Sequence, residues 1–146
     1  YIVAALPVNK MERATDLKPT ASYKPDKAVL TGDVALTETA GKKCLAFKTA
    51  IGGSISWDVS TGVADVYTLR LKYLNTTGKA LTVQLKVVAA DGSVMKQEIL
   101  TFGTTTADKF KTLETTTGTS INAGNYKVII TARDAGGLNI SGLEIQ

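Results

Sequence analysis

From Lys27 onward, apolar and polar side chains alternate in short runs broken by Gly, Asn and Asp. In "SISWDV", Ile55, Trp57 and Val59 share one parity, and Ser54, Ser56 and Asp58 the other. In "VYTLRLKY", Tyr67, Leu69, Leu71 and Tyr73 fall on one side, with Thr68, Arg70 and Lys72 opposite. "LTVQLKVVA" repeats the pattern with Leu81, Val83, Leu85 and Val87. A period of two describes strands with one face on a core and the other in water.

Asp91-Gly92 stands between two such runs and predicts a hairpin. "NAGNYKVIITA" and "LNISGLEIQ" supply the last two strands. About eight or nine strands with no convincing helix predict an all-β, antiparallel β-sandwich. Trp57 is in phase with Ile55 and Val59, so it is read as core, with its indole N–H reaching a carbonyl. Phe102 and Phe110 flank "GTTTADK" and are also read as core, the alternative being a stacking face.

The first 23 residues have no clear period and carry two of the three prolines, Pro7 and Pro19. Residues 1–23 are therefore expected to be a linker or the tail of a preceding domain, and residues 24–146 the sandwich. A short helix over "MERATDL" is possible but has no strong caps. The opening "YIVAALPV" has no basic flank and reads as the start of a mature or trimmed chain rather than a signal peptide. At 146 residues the chain is long enough for one domain with a sizeable core.

Histidine is absent, which excludes Ser-His-Asp and Cys-His catalysis and a His-ligated zinc. The 13 Asp and Glu are scattered, and no spacing singles out a catalytic pair. The single cysteine, Cys44, has no intramolecular partner and reads as a small buried hydrophobe rather than a reactive thiol. The net charge of +4 is spread along the chain. No basic run alternates with aromatics, so nucleic acid is not an expected partner. No apolar run approaches the roughly 20 residues of a membrane-spanning helix, so membrane insertion is not expected. Asn75-Thr76-Thr77 and Asn139-Ile140-Ser141 fit the glycosylation acceptor pattern, which chance produces often.

The stretch from "GGSISWDV" to "LTVQLKV" resembles carbohydrate-binding modules of families six and thirty-five. The residues carrying the likeness are Tyr67, Leu69, Tyr73 and Asn75, which follow the family pattern of a Tyr-x-Leu strand leading to Tyr-x-Asn. "LETTTGTSINAGNYKVIITA" and the closing "GLNISGLEIQ" extend it over about residues 24–146. The resemblance implies a jelly-roll sandwich without catalytic activity. It implies an accessory domain of a glycoside hydrolase, secreted, periplasmic or at the cell surface. Its partners would be an oligo- or polysaccharide and the catalytic domain of the parent enzyme.

The family's opening pair of acids falls on Lys24 and Asp26, and its closing aspartate on Ser141. Calcium needs six to eight oxygens, several anionic, so no calcium or other cofactor is expected. Asn139 matches the family's ligand-contacting asparagine. The resemblance therefore implies a sugar site at one loop end of the sandwich, built from Asn139, Arg133, Asp134 and Asn75. The glycines of "RDAGGLN" would let backbone approach the ligand. A turn asparagine and ordinary loop charges remain the alternatives. The second functional reading is a structural sandwich that packs on its parent enzyme and binds no sugar.

Overall fold

The computed structural model describes residues 20–146. The segment expected as a linker or tail lies outside the described residues up to position 19, and so does the possible "MERATDL" helix. Eleven strands form two antiparallel sheets. They are β1 (Ala21–Tyr23), β2 (Val29–Gly32), β3 (Val34–Thr39), β4 (Lys42–Phe47), β5 (Gly53–Thr61) and β6 (Thr68–Leu74). There follow β7 (Leu81–Ala89), β8 (Val94–Phe102), β9 (Lys111–Thr116), β10 (Gly124–Asp134) and β11 (Asn139–Ile145). One sheet runs β3-β4-β11-β6-β9, with β1 also on β11; the other runs β2-β5-β10-β7-β8.

The all-β sandwich is as the alternation predicts; the strand number is higher than eight or nine. The additions are short edge pieces that bury too little to show a period. Ala21–Tyr23 belong to the sandwich rather than to a linker, pairing with Ile145, Glu144 and Leu143. Among the described residues no helix is long and apolar enough to cross a membrane.

The core lies between the sheets and follows the predicted parities. Ile55, Trp57 and Val59 face Leu69, Leu71 and Tyr73 across it, joined by Leu81, Val83, Leu85 and Val87. Tyr73 and Phe102 meet edge to face at 4.8 Å. Trp57 is 1% exposed, and its Nε1–H donates to the Lys24 carbonyl at 3.0 Å. That bond fastens the turn Pro25–Lys27 to the core. The hairpin at Asp91-Gly92 forms between β7 and β8, with Gly92 N–H donating to Ala89 O and φ at 92°.

β11 shares one of its edges between two partners. β4 pairs with Asn139 and Ile140, and β1 with Leu143 to Ile145. The register on β6 shifts between Ile140 and Gly142, at this hand-over.

Among the described residues, three buried hydrophobic side chains stand outside the main core cluster: Cys44, Ala46 and Leu74. Their core-facing neighbours Leu45, Phe47 and Tyr73 put them on the outward side of the six-stranded sheet by parity. Burial pushes the Cys44 thiol up from its ordinary range.

Two outcomes follow. Trp57→Ala should cost about 3–5 kcal/mol in denaturant unfolding, the range for a large aromatic removed from a core. Cys44 should react with a thiol reagent only as the domain opens, so labelling in native buffer should be slow and should speed up with denaturant.

Candidate functional site

One end of the sandwich gathers residues 48–52, 75–80, 103–110 and 134–138, held together by backbone hydrogen bonds. Ala135 N–H donates to Ala50 O at 3.0 Å and Gly137 N–H to Phe47 O at 2.9 Å. Phe47 N–H donates to Leu138 O, and Thr105 N–H to Asn75 O. The glycines at this end serve that weave. A Cβ on Gly136 would stand 3.1 Å from Ala50 N, and one on Gly137 would meet Thr77 Cγ2 at 2.6 Å with φ already at 94°. The space that "RDAGGLN" was expected to leave for a ligand is filled by neighbouring loops.

Asn75 is fully buried. Its Nδ2 donates to Lys79 O at 2.8 Å and to Phe102 O at 3.1 Å, and its Oδ1 accepts from Thr77 N–H and Oγ1–H. The amide is thus spent on the loops and acts from beneath the surface. Asn139 is half-buried, with Nδ2 leaning on Gly137 O at 3.3 Å. Ile140 is core, so Asn139 points out of the six-stranded sheet. Arg133 is exposed at the end of β10 in the other sheet, where the register on β7 shifts between Ala132 and Asp134. Asp134 holds Lys79 at 3.4 Å on the rim between them. The four residues share one end of the fold, but their side chains do not converge on one point.

Phe110 is half-buried rather than core, and its ring carries the Lys42 ammonium 5.0 Å from its centroid. Phe102 is fully buried. No exposed aromatic platform stands beside Asn139 among the described residues.

A concavity of about 530 Å³ opens elsewhere, on the outer face of the five-stranded sheet toward the opposite end. Asp58, Ser60, Asn125 and Lys127 give it polar groups, and Val88 and Ala90 an apolar part. The Asp58 carboxylate accepts from Lys127 Nζ at 3.1 Å. The strand register explains the cluster: Asp58 faces Lys127, Ser60 faces Asn125, and Val88 lies across from Lys127. Sequence reading placed Asp58 and Ser54 on the outward face but had no means of pairing β5 with β10.

A second concavity is lined by Lys24, Pro25, Asp26, Lys42, Lys43 and Ser141. It lies where the family resemblance puts calcium. Three lysines against one aspartate and one serine make a lining that does not fit a divalent cation. No group of three or more Cys, Asp or Glu suited to a metal occurs among the described residues.

With this geometry in hand, the comparisons with known proteins are specific about architecture. No protein-family model matches the sequence, and no curated protein does. Solved structures do match. A family 35 carbohydrate-binding module from Clostridium thermocellum superposes with a TM-score of 0.72 at 21% identity, covering 87% of this chain and 97% of that one. A module from Cellvibrio mixtus lichenase in complex with cellotriose gives 0.66 at 17%, covering 86% and 95%. The Arthrobacter globiformis isomalto-dextranase complexed with panose gives 0.75 at 21%, covering 86% of this chain and 23% of that enzyme. The chain has the carbohydrate-binding-module fold. At these identities the likeness is one of fold, and it agrees with the β-sandwich anticipated from the alternation and from Tyr67, Leu69, Tyr73 and Asn75.

Asn75→Ala should therefore destabilise the domain rather than act on a ligand alone. Stripping the buried Phe102 carbonyl of its donor should cost about 1–3 kcal/mol, the range for one orphaned buried group. Urea unfolding measures it. The melting temperature should be the same in EDTA and in millimolar calcium.

Proposed function

We propose that this chain is a noncatalytic carbohydrate-binding module. The observation that carries the reading is the 530 Å³ concavity on the five-stranded sheet, in a fold shared with sugar-binding modules. Its hydroxyl, amide, carboxylate and ammonium groups both donate to and accept from vicinal sugar hydroxyls. Its volume falls within the range of small-molecule sites, about 300–1,000 Å³. Glycoside hydrolysis needs two carboxyl groups flanking the bond. This concavity offers Asp58 alone, already paired with Lys127.

The resemblance places the sugar at the loop end instead, around Asn139 with Arg133 and Asp134. The concavity and the loop end lie far enough apart along the strands to be told apart. Neither presents an exposed aromatic ring, so affinity should be weak. Roughly millimolar to high micromolar, or about −4 to −6 kcal/mol, is the expected range.

The alternative of a purely structural sandwich has less support. A docking face needs a contiguous apolar patch. The large exposed apolar side chains are Ile51 in a loop, Val29 on β2, Leu36 on β3, Val66 in another loop, and Val94 and Ile99 on β8. Val29 and Ile99 sit on opposite edge strands of one sheet. Attachment to a glycoside hydrolase, and a secreted, periplasmic or surface location, belong to this proposal as its expected setting.

The test is a titration of neutral oligosaccharides, glucans and galactans among them, followed by backbone amide shifts. Shifts at Ser60, Asn125 and Lys127 that Asn125→Ala abolishes are expected. Shifts at Asn139 and Arg133 with Asn125 unmoved would transfer the site to the loop end. Silence across the series would leave the structural reading.

A further inference from the structure

The lysine-lined concavity has a structural origin that sequence order hides. β4 accompanies β11 only to Ile140, and β1 joins it only from Leu143. Between them the edge of β11 is open at Ser141 and Gly142, and the turn Pro25–Lys27 crosses the opening. A notch of about 370 Å³ results. Lys24 enters from the chain before the turn, Lys42 and Lys43 from the start of β4, and Ser141 from β11.

The charge in the notch is not cancelled. Three lysines and a single acidic residue, Asp26, line it. Five ion pairs occur among the described residues, on Arg70, Lys72, Lys79, Lys96 and Lys127, and none involves Lys24, Lys42 or Lys43. Glu38 lies opposite Lys43 in the β3–β4 register without forming an ion pair with it. Lys42 is held over the Phe110 ring instead of by an acid, so its charge is positioned without being neutralised. Several like charges from two segments lining one concavity attract an anion more strongly than the same charges dispersed.

We propose that this notch binds the anionic substituent of an acidic glycan, a sulfate ester or a uronate carboxylate. Lys24, Lys42 and Lys43 supply the charge, and Ser141, whose hydroxyl donates to the Lys72 carbonyl at 3.4 Å, lines the wall. The notch admits one such group rather than a continuous phosphate track, which favours a glycan bearing spaced anions over a nucleic acid. The site uses none of the residues of the neutral-sugar concavity. It rests on the glycan-binding reading only for the choice of polymer, so the two readings fail separately.

Affinity electrophoresis of the whole chain tests it, in gels containing a sulfated galactan, polygalacturonate or a neutral dextran. Wild type should be retarded by at least one of the polyanions, with the effect lost as salt rises through several hundred millimolar. The K24Q/K42Q/K43Q variant should lose at least tenfold in affinity. The K48Q/K86Q/K109Q variant, which removes equal charge elsewhere, should lose less than twofold. Melting curves establish that both variants fold. Sulfated polymer alone identifies a sulfate site, polygalacturonate alone a carboxylate site, and either supports the proposal. No retardation by either polyanion overturns it. So does equal loss in the two variants, or equally tight binding of single-stranded DNA. Retention of polyanion binding in Asn125→Ala, with or without a neutral-sugar response, leaves the notch assignment standing on its own.

Discussion

Both sheets are held together through the last two strands. β10 is the middle of one sheet and β11 the middle of the other, so each sheet is continuous only once its own middle strand is in place. Each strand brings core side chains: Tyr126, Val128 and Ile130 from β10, and Ile140, Leu143 and Ile145 from β11. The short link of residues 135–138 between them is itself tied to Phe47 and Ala50. Closing such distant pairings costs chain entropy before burial rewards it. The loop end, the notch and the outer concavity all take their shape from where these two strands lie.

The strand pattern was legible because each strand has one dry face. Ile55, Trp57 and Val59 alternate with Ser54, Ser56 and Asp58, and a slip of one residue would bury the serines and expose the tryptophan. Pairing was not legible in the same way. Nothing local to β10 says that it lies between β5 and β7, because any strand with an apolar face satisfies the same alternation. β1 escaped notice for a related reason: three residues are too few to show a period, although Tyr23 packs against the core.

Site residues were harder to read because one side chain chemistry serves two purposes. An amide that suits a sugar hydroxyl suits a backbone carbonyl equally, and Asn75 is taken by the second. The glycines of residues 136–137 likewise permit close approach, but what approaches is the neighbouring chain. Asn139 and Arg133 lie six positions apart, yet the chain passes from one sheet to the other between them, so neighbours in sequence stand on different sheets. Lys24 and Ser141 were recognisable as replacements for acids. That they line one concavity with Lys42 and Lys43 depends on the hand-over along β11, which no local signal announces.

That hand-over also sets how the domain would respond to force. A pull applied through the segment before Ala21 reaches β1 first, a strand of three residues on a single partner. Behind it stands the indole of Trp57 on the Lys24 carbonyl. β1 would peel from Leu143 to Ile145 while both core-spanning sheets stayed whole. β1 is therefore a short mechanical fuse, three residues that release before the paired core strands bear load.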